Sequence, residues 1–303
     1  MFLDYNVDMT KSLSISGVAL NLFLTKYYSY NIPLVTQKSM YSDIKLGYYG
    51  GITEVYKPYG KDLYYYDINS LYPFAALNDM PGLTCSKILL TTDTNIDNLF
   101  GFFYCIVDTT NVTNKYLGLL PLRLKGLIFP HGKWEGWYFS EELKFAKLHG
   151  YNISVLKRYE FSRNKDVFKG YRDDIYNHKV NACNSTQKHI AKSLLNNLLG
   201  RFGIDLNKYE TNLYSNEEFE ALLHVRDIKG HSTIGNSHLV SHSTGLNYNL
   251  IAELGMDVSE VLKNHSDSEV KPQSASSIVI SAAVTAYARI IITKHKLERE
   301  MEQ

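Results

Sequence analysis

The sequence predicts an α+β fold, on two observations. Short aromatic and β-branched runs closed by turn residues dominate the first half and read as strands. From Tyr171 to Gly203 the apolar residues fall at helical spacing instead. Ile190, Leu194, Leu195 and Leu198 line one face and Lys188, Lys192, Asn196 and Gly200 the other. Strand signals followed by helical ones place the chain in the α+β class. With 303 residues, 45% of them hydrophobic, there is material for one large domain or two ordinary ones.

Taken in order, Gly17 to Leu24 is a short helix candidate. Next comes Lys45-Leu46-Gly47-Tyr48-Tyr49-Gly50-Gly51, where paired glycines permit either a plain hairpin turn or a close backbone approach to a ligand. Tyr64-Tyr65-Tyr66-Asp67 reads as a buried strand that delivers one carboxylate to its end, with Pro73 stopping the pairing. Asp67 there either holds a divalent cation or accepts backbone N–H groups in an Asx-type turn. Ala75 to Met80 reads as a helix closed by Pro81-Gly82. Leu99 to Val107 is a strand signal, Leu119 to Arg123 leads into Gly126 to Pro130, and His131 to Phe139 runs into a helix beginning at Ser140. Ser140 is the predicted N-cap, with acids in the first turn, and Gly150 ends that helix. Trp134 and Trp137 either stack on a sugar or base or pack within the fold.

Charge is unevenly distributed. The net charge is +1, yet Lys157 to Arg201 holds ten Lys/Arg against four Asp/Glu, and Asp205 to Glu269 holds four against eleven. The basic stretch could face phosphates while the acidic one faces solvent. Within it, Lys188 and Lys192 sit one helical turn apart, an unfavourable spacing unless an anion bridges them or solvent screens them. Cys85, Cys105 and Cys183 lack metal-site spacing, which argues against a disulfide framework or a zinc site. No uninterrupted run of about 18 apolar residues is present, and no membrane partner is expected. The 24 tyrosines, with abundant Asn and Ile, share A/T-rich codons, a bias expected of an organellar or plasmid gene.

Three stretches carry a family resemblance. Asp67-Ile68-Asn69-Ser70-Leu71-Tyr72-Pro73 resembles motif A of the family B DNA polymerases, Dx2SLYP. Lys192 to Gly203 resembles their motif B, Kx3NSxYG, and Tyr48-Tyr49-Gly50-Gly51 resembles their YxGG motif. The three occur in the family's order, and the chain is most similar to the protein-primed branch found in mitochondrial linear plasmids and bacteriophages. The resemblance implies a partial polymerase palm, mainly an antiparallel sheet carrying Asp67, with helical fingers and an insertion. It divides the chain into residues 1–47 (exonuclease–polymerase junction), 48–78 (palm), 79–159 (an insertion associated with a priming protein), 160–203 (fingers), 204–270 (a second, irregular insertion) and 271–303 (a palm helix).

Carried over by motif position, the resemblance makes Asp67 a catalytic residue and metal ligand, with the Ile68 carbonyl near the same Mg2+. Tyr72 would lie under the incoming sugar and exclude a 2′-hydroxyl. Lys192 would meet the triphosphate, with Lys179 a second phosphate contact, and Asn196 and Gly200 would shape the nucleotide pocket. Tyr48, Gly50 and Gly51 would touch template, and Lys45, Ser70, Lys188 and Arg201 are further assigned to DNA. The implied partners are template–primer DNA, deoxynucleoside triphosphates and a priming terminal protein, and the implied location is the mitochondrion.

The sequence departs from the family pattern in three ways. Motif B has Asn197 where Ser is usual and Leu199 where Tyr is usual. Motif C, YxDTDS, does not follow Ser281 to Arg289, and Thr91-Thr92-Asp93-Thr94 is in the wrong order to replace it. Only 47 residues precede Tyr48, too few for an exonuclease domain. The expectation is therefore a DNA-directed DNA polymerase present as a partial chain, inactive alone, with a catalytically silent remnant that still binds nucleotide or DNA as the alternative. A carbohydrate-active protein built on Trp134, Trp137, Glu135 and Glu141 is a third reading, which no other residue supports.

Overall fold

The computed structural model describes residues 5–89, 95–112, 117–204, 209–247, 251, 253–255 and 277–300. Thr91 to Thr94 lie outside the described residues, as do the last three of the chain. Helix α1 is Ile15–Lys26, α2 is Lys38–Leu46 and α3 is the short Leu71–Ala75. Strands β1 (Met80–Leu89), β2 (Gly101–Asp108), β3 (Leu122–Arg123), β4 (Leu127–Ile128) and β5 (Lys133–Phe139) follow. Then come α4 (Ser140–Leu148), β6 (Asn152–Asn164), α5 (Lys169–Val180) and α6 (Ser185–Phe202). Strand β7 (Tyr209–Ser215), α7 (Asn216–Leu223), β8 (Arg226–Ile234), β9 (Ser237–Leu246) and the long α8 (Ile278–Glu300) complete the chain. The elements divide into two compact units, one of residues 1–35, 39–203 and 275–303, the other of 36–38 and 204–274.

The larger unit is organised by an antiparallel sheet of order β1-β6-β2-β5 and by α8. Val279, Ile280, Ala282, Ala283 and Ala286 have no solvent exposure, so α8 is apolar nearly all round, as a central helix must be. By length and composition Ile278–Glu298 would suffice to cross a membrane, but here it is mostly buried inside the protein. Phe23 of α1 fixes the helical region through ring contacts with Phe168, Tyr171 and Phe202 at 5.2–5.9 Å. In the sheet, Trp137 stacks on Tyr159 at 5.2 Å, so this tryptophan is packing. Gly101, at φ +147°, lets β2 approach β6 where any Cβ would stand 1.9 Å from the Tyr159 carbonyl.

Several local expectations are corrected. Tyr64-Tyr65-Tyr66-Asp67 is not a buried strand: it has no regular structure, and Tyr64 and Tyr65 are 85% and 90% exposed. Its composition suits a strand, but a strand exists only with a hydrogen-bonded neighbour, and none of the described strands pairs with it. Pro73 lies in the first turn of α3, where its missing N–H costs nothing. The helix expected from Ala75 ends there instead, and Pro81-Gly82 lie within β1, an edge strand whose register is irregular between Pro81 and Cys85. Ser140 does not cap α4, since Phe139 occupies that position and the Ser140 hydroxyl accepts from the Gly101 N–H at 3.1 Å. Ile190 is exposed, and Ala191 joins Leu194, Leu195 and Leu198 on the buried face of α6.

The smaller unit overturns the irregular structure expected after residue 204. Its antiparallel sheet has order β7-β9-β8, with α7 introduced by a Ser215–Glu218 capping box. Phe219 stacks on His238 at 4.4 Å, and Val240 and His242 are buried. The strands are rich in Ser, Thr and His and bury few positions, so the alternation that announces a strand is faint. Gly235-Asn236, between β8 and β9 with Gly235 at φ +61°, was the readable signal, a two-residue hairpin loop.

Candidate functional site

The glycine loop, Tyr48 to Gly51, is fixed from beneath. Tyr49 is buried, stacks on Tyr138 with centroids 5.6 Å apart, and carries the Arg123 guanidinium 5.1 Å from its ring centre. Burial, reinforced by the Glu142 charge, pushes the Tyr49 phenol up to about 12. Arg123 Nη2 donates to the Tyr48 carbonyl at 2.5 Å. Arg289 of α8 donates through Nη1 to the carbonyls of Tyr49 at 2.8 Å and Gly50 at 2.9 Å, while Nε and Nη2 donate to Glu142 of α4 at 2.6 and 2.8 Å. Gly50 and Gly51 remain exposed, so the loop is neither a hairpin nor free to move as one.

Beside that loop, Tyr48 is half-buried, and desolvation raises its phenol. A Cβ on Gly203, just past α6, would stand 2.5 Å from the Tyr48 hydroxyl and 2.9 Å from Ser281 Oγ. A Cβ on Gly51 would stand 3.2 Å from the Tyr72 hydroxyl. The YxGG segment, Tyr72 and the end of α6 therefore meet, and Ser281 of α8 closes the group by donating to the Leu199 carbonyl at 3.1 Å.

On the motif A segment, Asp67 and Asn69 are exposed and Ile68 is half-buried. Ser70 takes a left-handed backbone (φ +54°), uncommon for a residue with a Cβ, and starts α3 without capping it. Its hydroxyl accepts from Lys179 Nζ at 3.0 Å, joining motif A to α5. Lys179 also lies 5.2 Å from the Tyr176 ring. Tyr72 projects with 40% of its surface exposed.

On α6, capped by Asn184 accepting from the Gln187 N–H at 2.9 Å, Lys188, Lys192, Asn196 and Gly200 are all exposed on one face, as the spacing predicts. Arg201 is half-buried. Asn197 donates to the Ser193 carbonyl at 2.7 Å, and Leu199, where an aromatic is usual, is buried. Lys45, on α2, is exposed with its ammonium 5.8 Å from the Tyr41 ring. The structure thus brings Tyr48, Gly51, Ser70, Tyr72 and Lys179 together by direct neighbours, and the Lys45 carbonyl accepts from the Tyr48 N–H at 3.2 Å, whereas among the described residues no such contact links Asp67 to the lysines of α6.

A cation site does not follow from these residues alone. Magnesium takes six near-octahedral oxygen donors, and Asp67 with the Ile68 carbonyl supplies three at most. Among the described residues no group of three His, Cys, Asp or Glu side chains is placed to hold a metal. Sequence reasoning also missed Arg289 and Glu142. The available signal was a single guanidinium inside the otherwise uncharged run Ile278 to Ile292, because such a charge is buried only with a partner.

Residues 1–296 match the profile of the type B DNA polymerases, organellar and viral. The chain belongs to that family. Among its relatives in this family, a probable DNA polymerase of Podospora anserina is 46% identical over 299 residues, covering 97% of this chain and 25% of that protein. A probable DNA polymerase of Neurospora intermedia is 36% identical over 237 residues, covering 74% and 24%. This type B chain thus spans about a quarter of the length of these relatives. In fold it is similar to Phi29 DNA polymerase complexed with single-stranded DNA, at TM-score 0.60 and 15% identity over 99% of this chain and 47% of that one. The same polymerase with primer–template DNA and incoming nucleotide aligns at TM-score 0.56 and 16% identity. The α+β expectation and the family resemblance both hold.

Proposed function

We propose that this chain forms the nucleotide- and template-contacting part of a DNA-directed DNA polymerase, one that extends a primer 3′-hydroxyl with deoxynucleotides. The observation that carries the reading is the Ser70–Lys179 contact, which ties the motif A segment to the basic helical region beside Tyr72 and the glycine loop. Lys179 and Lys192 offset charge on a triphosphate, and their work is positioning and electrostatics rather than covalent chemistry. Tyr72 sits under the sugar, where its ring leaves no room for a 2′-hydroxyl. Asn196 and Gly200 border the nucleotide. Tyr48, Gly50, Gly51, Lys45, Lys188 and Arg201 contact DNA.

Mg2+ belongs to the same proposal. Members of this family depend on divalent metal, and Asp67 contributes one carboxylate with the Ile68 carbonyl beside it. The other donors come from outside the described residues. The abundance of Tyr, Asn and Ile, residues with A/T-rich codons, and the resemblance to the protein-primed branch support a mitochondrial, linear-plasmid origin and a terminal protein as primer.

Nucleotide titration tests the reading. The 303-residue chain is expected to bind a deoxynucleoside triphosphate, and Lys192→Ala to weaken that affinity about tenfold, about 1.4 kcal/mol. Unchanged affinity in Lys192→Ala removes the phosphate role of α6. With Asp67 as its lone assigned carboxylate, the chain is expected not to extend a primed template in Mg2+ or Mn2+. Extension that vanishes in Asp67→Ala would overturn that expectation.

A further inference from the structure

We propose that Glu142 is a positioning residue for the glycine loop: it orients Arg289 so that the free edge of the guanidinium holds the Tyr49 and Gly50 carbonyls, presenting the glycines to a DNA strand. The inference rests on the reading of Tyr48 to Gly51 as a DNA contact. A guanidinium has five N–H donors in a rigid plane. Arg289 directs Nε and Nη2 at the two Glu142 carboxylate oxygens, at 2.6 and 2.8 Å, and Nη1 at the two loop carbonyls, at 2.8 and 2.9 Å.

Both side chains of the pair are 2% exposed. Taking two charges out of water costs about what their attraction returns, so such a pair is a poor source of stability compared with apolar residues of the same volume. What it supplies is geometry. The bidentate fork sets the plane of the guanidinium, and that plane sets two consecutive carbonyls of a loop that belongs to neither helix. Glu142 comes from α4 and Arg289 from α8, so three segments distant in sequence are registered through one group. The outer side of the loop is open, since a Cβ at Gly50 would meet nothing within 4 Å.

The test uses the 303-residue chain, a fluorescent primer–template duplex and amide hydrogen exchange. Glu142→Gln keeps the size of the side chain but offers the fork one acceptor. Its expected result is at least tenfold faster exchange at the Tyr48 amide, which donates to the Lys45 carbonyl at 3.2 Å, and about tenfold weaker duplex binding. Arg289→Lys keeps the charge beside Glu142 but cannot hold both carbonyls, and is expected to give the same two changes; the double variant is expected to match either single one. A Glu142→Gln protein that melts lower yet keeps loop exchange and duplex affinity within twofold of the parent overturns the proposal. If Glu142→Gln does not fold, Arg289→Lys decides: unchanged loop protection overturns it. If the parent chain binds no duplex while both variants still deprotect the loop, the DNA reading fails and the positioning role of Glu142 stands.

Discussion

The glycine loop and the segment before Asp67 lie close in sequence and are both rich in tyrosine, yet they are held in opposite ways. Tyr49 is enclosed by Tyr138, Arg123 and Arg289, and its carbonyl and those on either side are each taken by a guanidinium. Tyr64 and Tyr65 face solvent on a backbone with no regular structure. Residue type does not separate the two cases. The loop is ordered because guanidinium groups from α8 and β3 converge on its carbonyls. The motif A approach has strand chemistry without a described strand beside it.

The largest effect that should follow is on Tyr49. Tyr49→Ala removes a buried ring and leaves two arginines without their aromatic partner, so unfolding free energy should drop by about 3–5 kcal/mol in denaturant titration. A loss under about 1 kcal/mol would mean that the loop is not the anchored member of the comparison. A middle-sized effect is expected at Gly203→Ala. The new methyl meets the Tyr48 hydroxyl and Ser281, and the overpacking should cost about 1–3 kcal/mol. Restoration of stability in the Gly203→Ala/Tyr48→Phe double variant would locate the clash. Ser70→Ala comes next: it removes the acceptor for Lys179, a hydrogen bond to a charged group worth about 1.5–3 kcal/mol at most and less here because Lys179 is only half-buried. Deoxynucleotide affinity should change with it, and a variant altered in neither property removes the link between motif A and α5.

How much of this was legible follows the same division. The stripe on α6 and its buried face were readable because helical period is a local property, and only Ile190 was misplaced. The meeting of Tyr48, Gly51 and Tyr72 was readable only through motif resemblance, since nothing local says that residues about 20 apart touch. Arg289 and Glu142 were not found, because a buried ion pair is a property of two distant segments: Arg289 stands out as the one charge in its own window, but nothing in that window points to Glu142 as its partner. The error at Tyr64 to Asp67 has a related cause. Propensity reports which residues suit a pleated surface, not whether a second strand is there to complete it. The sheet of the smaller unit was lost for the reverse reason: its strands are paired but polar.

The smallest expected effect concerns the bare segment itself. Tyr65→Ser removes a ring that is 90% exposed, and surface substitutions away from packed features usually fall within about 0.5 kcal/mol. The melting temperature should therefore move by less than about 2 °C. A larger fall would show that the ring is covered in solution, by a neighbouring copy or by a part of the chain outside the described residues. Dilution separates these two, because a cover supplied by another copy weakens with protein concentration and one supplied within the chain does not. An unchanged melt at every concentration would leave the segment as strand-forming sequence held open in front of Asp67, in direct contrast to the clamped loop beside Tyr72.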